Sequence, residues 1–174
     1  MTAPELSDDL IEWAHRAGFE PASHGEALVL SSTGDETSYV VRGGDDGWLL
    51  TRASRGRSET FDLRASSRDA LERYLTHVFG QTVRDDAGLD FLMLPFSHDD
   101  VAEGYSLTEL DADRFRYLSQ NPTGAVVAAA RGEPGSLLVL IPLSHFLHFS
   151  NEELRESYLS EVGAPLLKAG RYTR

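Results

Sequence analysis

The sequence contains no cysteine, and this absence excludes several classes of protein. Disulfide-stabilised scaffolds, zinc sites with thiolate ligands, iron–sulfur clusters and cysteine nucleophiles all require that residue. The chain also lacks an apolar run of about 18 residues, so we expect no membrane span. Its first residues, MTAPELSDDL, are acidic and have neither the basic nor the apolar region of a signal peptide. We therefore expect a cytoplasmic protein.

Positive charge is scarce as well, because 28 acidic residues outnumber 16 basic ones and the net charge is −12. Lys168 is the only lysine. Proteins that bind nucleic acid follow its phosphates with clustered cations, so a nucleic-acid partner is not expected. Excess negative charge keeps a protein in solution and also speeds its encounter with a basic partner. The 174 residues, 41% of them hydrophobic, suffice for a single domain with its own core.

The first half of the chain predicts a helix, four strands and a second helix, with the helices covering one face of the sheet. Residues 7–17 begin with acidic residues and carry apolar residues at helical spacing. Residues 67–79 have a clearer apolar face, and Gly80 follows at a position typical of a helix end. Between the helices, β-branched and aromatic runs alternate with glycine- and aspartate-rich turns, which favours an antiparallel meander. The predicted strands are Ala27–Ser31, Thr37–Arg42, Trp48–Ala53 and Glu59–Leu63.

The second half predicts further strands and a C-terminal helix, which makes the fold class α+β. A turn is expected at residues 85–88, and the short apolar run Phe91–Leu94 must end at Pro95 or lie at a sheet edge, because proline cannot donate to a central ladder. Ser150 and Glu153 have capping-box spacing and start a helix to about Leu159. The order of the strands stays open. The predicted strands are Tyr105–Leu110, Arg114–Leu118, Ala125–Ala130 and Leu137–Ile141.

Histidines are the first candidates for catalysis or metal binding. His145 and His148 lie three residues apart and could share a helix face, but zinc sites need three or four ligands and the helical zinc pattern has an internal glutamate. That glutamate is missing, and the surrounding residues are apolar, so two packed or half-exposed histidines are the favoured interpretation. His98 precedes two aspartates that could orient it as a base, yet no nucleophile motif accompanies it. A capped turn is favoured there. No cofactor is expected.

Glycine-rich, acidic and basic clusters have similarly ordinary interpretations. Residues 43–47 (GGDDG) lack the lysine of a phosphate-binding loop and the ligand ladder of a calcium loop, so they predict a hairpin turn. A cluster of arginines around the following hairpin could bind a carboxylate or phosphate, although neutralising neighbouring acids is the commoner role. Adjacent carboxylates in turns could serve acid–base chemistry only if burial raised the pKa of one of them. The arginines are Arg42, Arg52, Arg55 and Arg57.

Six segments carry a resemblance when they are taken in order. They resemble immunity proteins of bacterial polymorphic toxin systems, in particular the immunity factors that neutralise a secreted actinobacterial NAD-glycohydrolase toxin. The resemblance covers roughly residues 7–168, nearly the whole chain. It implies a cytosolic, non-enzymatic inhibitor that binds a toxin domain one to one and blocks its NAD site. The segments are Gly47–Ala53, Phe61–Leu63, Leu71–Leu75, Ala102–Leu107, Leu143–Leu147 and Glu153–Leu159.

An acidic inhibitor would associate quickly with a toxin domain that presents a basic, dinucleotide-binding cleft. The candidate partner contacts are therefore the aspartate pairs in predicted turns, although ordinary surface is the alternative for each. These candidates are Asp45, Asp46, Asp85, Asp86, Asp99 and Asp100. A tight complex also needs about 800 Å² of buried surface per partner and aromatic anchors.

Two other functions remain open from the sequence. A small acidic secretion chaperone would show the same helix–four strands–helix start, but it would form a homodimer and hold an extended segment. An enzyme would depend on His98 or on the His145 and His148 pair, and a stoichiometric bound metal would support it.

Overall fold

The structure is a computed structural model that describes residues 2–34, 37–54 and 57–173. Its elements follow one another as helix, five strands, helix, three strands, two helices and a final short hairpin. The first half contains α1 (Asp8–Arg16), β1 (Phe19–His24), β2 (Ala27–Ser32), β3 (Thr37–Gly44), β4 (Gly47–Ser54), β5 (Thr60–Ala65) and α2 (Arg68–Asp86). The second half contains β6 (Tyr105–Leu107), β7 (Phe115–Gln120), β8 (Ala125–Arg131), α3 (Gly135–Phe146), α4 (Asn151–Leu159), β9 (Leu167–Lys168) and β10 (Arg171–Tyr172).

Strands from both halves form one antiparallel sheet with the order β1-β2-β3-β4-β5-β8-β7-β6. The halves join where β5 pairs with β8, through Arg64 opposite Ala129 and Ala65 opposite Ala128. This junction supplies the strand order that the sequence leaves open, and it confirms the α+β class. The last two strands, β9 and β10, pair with each other in a separate two-stranded sheet.

Helix α2 is the centre of the helical layer, because it packs against α1, α3 and α4 as well as against β4 and β5. Its residues Leu71, Leu75 and Phe79 are completely buried, and they face Leu50 and Leu63 within the same core cluster. The apolar face predicted for this segment is therefore the face that holds the helices on the sheet.

The predicted helix starts are confirmed by their caps. Ser7 and Ser67 accept hydrogen bonds from the backbone N–H groups of Leu10 and Ala70. Ser150 and Glu153 form the predicted capping box at the start of α4. Such caps depend on contacts within one turn, which is why a local pattern predicts them well.

The first half differs from the prediction in two places. It has five strands, because β1 precedes the predicted four; Pro21 argues against a strand, but β1 lies at the sheet edge, where proline is tolerated. Helix α2 also continues past Gly80 to Asp86, so Asp85 and Asp86 end a helix and do not form a turn. Gly80 is needed inside the helix because the ring of Tyr158 lies against its backbone.

The segment Leu137–Ile141 is helical, so the strand predicted there is wrong. It lies within α3, which is apolar on most sides and whose residues Leu140, Ile141 and Leu143 are completely buried. A short apolar run fits a buried strand and a buried helix equally well, because neither requires a polar face. The predicted strand at Tyr105–Leu110 is also shorter than expected and ends at Leu107. No helix in the described ranges is long and apolar enough to cross a membrane.

Candidate functional site

A groove of about 430 Å³ opens between α2, α3 and the sheet. Helix α2 contributes His77 and Gln81 to one wall, and α3 contributes Leu138 to the opposite wall. Strand β4 supplies Arg52 and β5 supplies Asp62. The segment 91–96, which has no regular secondary structure, forms the rim. Two helices, the sheet and an irregular segment thus bound the groove.

The rim and the α3 wall of the groove carry exposed apolar side chains. Phe91 is 67% exposed, Met93 71% and Leu138 47%, and Phe96 is exposed as well. These are four of the seven large apolar side chains that are exposed in the described ranges. Because exposing a contiguous apolar patch to water costs free energy, such patches mark binding surfaces. The groove is the best candidate for a protein-binding site in this structure.

The rim segment is irregular but anchored. The Gln81 side chain donates to the Leu92 carbonyl at 3.0 Å and accepts from the Leu92 N–H at 3.3 Å. The Tyr172 hydroxyl donates to the Pro95 carbonyl at 2.7 Å, and the Arg84 guanidinium donates to the Asp90 carbonyl. Leu92 itself is buried. The exposed neighbours Phe91 and Met93 are thus presented by a backbone that is held on both sides.

Two arginines give the groove its charge. Arg52 Nη2 lies 3.3 Å from Asp62 Oδ1; the Arg52 side chain is 49% exposed, and the Asp62 side chain only 11%. Burial raises the pKa of the Asp62 carboxyl, and the Arg52 cation partly offsets that rise. Arg131 Nε donates to the Asp113 carbonyl at 3.2 Å, and its guanidinium lies 5.6 Å from the centre of the Phe115 ring.

His77 stands at the wall of the groove among aromatic rings. Its Nδ1 lies 2.5 Å from the Tyr158 hydroxyl, and its ring contacts those of Tyr74 and Phe146. Burial lowers the pKa of His77 to about 4, because the charged imidazolium would lose its hydration there. The imidazole is therefore neutral at physiological pH.

This pKa predicts a loss of stability in mild acid. The His77 imidazole takes up a proton near pH 6.5 in the unfolded chain but only near pH 4 in the folded chain. Its contribution to the stability of the folded state is therefore complete above pH 6.5 and is lost as the pH falls toward 4. We expect the free energy of unfolding to fall by about 2 kcal/mol between pH 7 and pH 5. Urea unfolding across this range measures it, and His77→Gln should flatten the dependence. An unchanged slope in that variant would assign the effect to other groups.

The six candidate aspartates lie away from the groove, and the structure does not bring the three pairs into one site. Asp45 and Asp46 form the exposed two-residue turn between β3 and β4, as the glycine-rich segment predicts. Asp85 and Asp86 are the exposed last residues of α2. Asp99 and Asp100 lie in a 3₁₀ turn, His98–Asp100.

Asp100 forms hydrogen bonds that stabilise that turn and connect it to His145. Its carboxylate accepts a hydrogen bond from the Ser97 N–H at 2.9 Å, and its carbonyl lies 2.6 Å from His145 Nε2. The capped turn predicted around His98 is thus confirmed, with Ser97 as its cap. His98 Nε2 lies 2.6 Å from Arg116 Nη1, so the nitrogen accepts from a guanidinium.

The other two candidate histidines, unlike His98, bind backbone carbonyls. His145 stacks on the Tyr172 ring with a centroid distance of 3.6 Å, and His148 Nε2 lies 2.9 Å from the Glu103 carbonyl. Within residues 2–34, 37–54 and 57–173, no three histidine or carboxylate side chains are placed to hold a metal ion. These histidines connect α3 to the turn before β6.

The arginine cluster neutralises acids where it is described. Arg42 donates to both carboxylate oxygens of Glu59, at 2.8 and 2.9 Å, and the Thr51 hydroxyl donates to the same group. The Arg42 hydrogen bonds and then that of Thr51 lower the pKa of Glu59 to about 2. Arg52 pairs with Asp62, Arg57 is exposed, and Arg55 lies outside the described residues.

Sequence reasoning did not find the groove. Phe91 and Met93 were visible only as part of a short apolar run before Pro95, and such a run indicates core more often than binding surface. The available signal was the alternation of exposed Phe91 and Met93 with buried Leu92, which has a meaning only once the segment is known to lie on the surface.

Comparisons with known proteins agree with one another. The family model described as Immunity protein 61 matches residues 13–166. The Immunity factor for TNT of Mycobacterium tuberculosis and the Immunity factor for TNT homolog of Mycobacterium bovis are each 28% identical over 167 residues, covering 93% of this chain and 92% of theirs. The solved structure of Rv3902c from M. tuberculosis is 26% identical, with a TM-score of 0.81 over 93% of both chains.

Proposed function

The chain belongs to the Immunity protein 61 family, and from this premise we propose that it binds and inhibits a cognate, secreted NAD-glycohydrolase toxin domain. The inhibition protects the producing cell from loss of NAD. The protein acts in the cytoplasm, without catalysis of its own and without a cofactor. One inhibitor molecule binds one folded toxin domain.

The observation that carries this proposal is the family match together with the names of the relatives. The matched region spans residues 13–166, and the similarity to two immunity factors for TNT covers nearly the whole of each chain. The solved structure of Rv3902c shares the fold over 93% of both chains, which supports a common scaffold. Inhibition by binding requires only a stable surface that can contact the toxin domain, and the groove provides such a surface.

The acidic surface supports fast binding. A net charge of −12 attracts a basic partner over a distance of about one Debye length, roughly 8–10 Å. We assign the first encounter to the exposed aspartates, Asp45, Asp46, Asp85, Asp86 and Asp99, with Asp100 less available because its carboxylate caps a turn. Electrostatic attraction of this kind acts mainly on the association rate.

Charge reversal in the β3–β4 turn tests that assignment. The double variant Asp45→Lys and Asp46→Lys is expected to associate with the toxin domain about tenfold more slowly, with a nearly unchanged dissociation rate. Surface plasmon resonance at low and high salt measures both rates. Because screening removes long-range attraction, the difference from the wild type should vanish at high salt. A variant that dissociates faster at every salt concentration contradicts a role limited to steering.

Titration into an active toxin decides the proposed function. The purified chain is added to a purified sample of the cognate NAD-glycohydrolase toxin domain, and the loss of NAD is followed. We expect activity to fall linearly and to end at a one-to-one ratio, while the chain alone leaves NAD unchanged. Full toxin activity at excess inhibitor, with no complex on a sizing column, would overturn the proposal. A homodimer that ignores the folded toxin would point to a secretion chaperone.

A further inference from the structure

We propose that the groove is the anchor of the toxin interface, and that it takes a toxin segment in which a large apolar side chain stands beside a carboxylate. This inference rests on the proposed function and adds to it the surface and the chemistry of the contact. The sequence predicts the acidic turns as the partner contacts. In this proposal they are secondary to the groove, which is apolar and locally cationic.

The apolar half of this assignment follows from the rim. Phe91 and Met93 project from a backbone that is held by Gln81, Arg84 and Tyr172. Because the rim backbone is already ordered, the rim itself loses little conformational entropy when a partner covers these side chains. Aromatic residues, methionine and arginine are the types enriched in the centres of interfaces, and the rim and walls contain all three. An apolar side chain of the partner therefore fits between the rim and Leu138.

The carboxylate follows from the unused donors of two arginines. A guanidinium has five N–H donors. Among the described residues, Arg52 donates one hydrogen bond, to Asp62 at 3.3 Å, and Arg131 donates one, to the Asp113 carbonyl. Asp62 is the only acid that lines the groove in the described ranges, and its carboxylate is mostly buried. The groove is thus locally cationic in a chain of net charge −12.

A carboxylate is the group that suits such donors, because it accepts two parallel hydrogen bonds from one guanidinium. A basic or phosphate-like segment fits less well: the first would meet two arginines, and the second has no apolar part to cover the rim. The aspartate turns and the groove then have different roles in binding. The aspartate turns accelerate the encounter, and the buried apolar contact with its charge pair sets the lifetime of the complex.

Paired substitutions at Met93 separate the apolar contribution from the charge. Met93 is exposed, so Met93→Glu and Met93→Lys should fold equally well, which their urea midpoints verify. Both remove the apolar contact, but only glutamate repels the expected carboxylate. We expect Met93→Glu to raise the Kd for the toxin domain by about 30-fold or more and Met93→Lys by clearly less. Val126→Glu and Val126→Lys, at an exposed apolar residue of β8 outside the groove, should leave the Kd within about twofold.

Substitution of Arg131 tests the carboxylate that is proposed on the toxin segment. Arg131→Glu should weaken binding by about tenfold or more, whereas Arg64→Glu, the same change at an exposed strand residue outside the groove, should not. If the wild-type chain neither binds nor inhibits the toxin domain, the proposed function itself is wrong. If the wild type binds and the Met93 and Arg131 variants bind equally well, the groove is not the anchor. If Met93→Glu binds more tightly than Met93→Lys, the partner group there is a cation and the proposed chemistry is overturned.

Discussion

Arg84→Met is expected to lower the free energy of unfolding by about 3 kcal/mol or more. The Arg84 side chain is 2% exposed, and its guanidinium donates to the carbonyls of Tyr158, Ser160 and Glu161 at the end of α4 and to that of Asp90. Methionine is apolar and similar in length, so it fills most of the space but supplies no donor. Several carbonyl oxygens then lose their partners at once, and orphaned polar groups are costly.

Removing a buried cation also recovers its cost of desolvation, and this gain opposes the loss of the hydrogen bonds. Exchange of a complete ion pair for apolar residues is often neutral, because both partners leave together. At Arg84 the partners are backbone carbonyls, which remain in place after the substitution. The loss of hydrogen bonds to these carbonyls therefore outweighs the recovered desolvation energy. Equilibrium urea unfolding of Arg84→Met measures it, with Arg64→Met as the exposed control expected within about 0.5 kcal/mol of the wild type. A change below about 1 kcal/mol at Arg84 would show that water or a shifted backbone satisfies those carbonyls.

Gly80→Ala is expected to lower the free energy of unfolding by about 2–3 kcal/mol. Alanine in a helix interior normally stabilises by about 1 kcal/mol relative to glycine. At this position, however, a Cβ would lie 2.4 Å from Cγ of Tyr158 and 2.6 and 2.7 Å from its two Cδ atoms. Tyr158 is completely buried and its hydroxyl is held by His77, so the ring has no room to move away. Steric overlap outweighs helix propensity, and α2 and α4 must separate.

Thermal or urea unfolding of Gly80→Ala tests this close approach. The matched control is Gly135→Ala at the first residue of α3, where a Cβ meets no atom within 4 Å and the backbone is not left-handed. That control should leave stability unchanged or raise it slightly. Equal effects in the two variants would mean that the helices adjust without cost, and that Gly80 is dispensable for packing.

Local chemistry explains which elements the sequence predicts well. Ser7, Ser67 and Ser150 begin helices because their side chains bind N–H groups of the next turn, and the two aspartates of GGDDG turn a hairpin between glycines. The α2 prediction ended early for the converse reason. Glycine is a common signal for a helix end, but Gly80 is required here because the Tyr158 ring leaves no room for a Cβ. Tyr158 lies 78 residues later in the chain, so a local pattern cannot reveal this contact.

The sequence by itself determined the α+β class, most helix starts and hairpin turns, and the family resemblance, because caps, turns and ordered short segments are properties of neighbouring residues. The tertiary structure alone decided that Leu137–Ile141 is a helix, that β5 pairs with β8, and that Phe91 and Met93 stay exposed. Each of these depends on which surfaces meet. An apolar residue lowers the free energy equally well in a strand, a buried helix or an interface, and only the arrangement of the remaining chain selects among them.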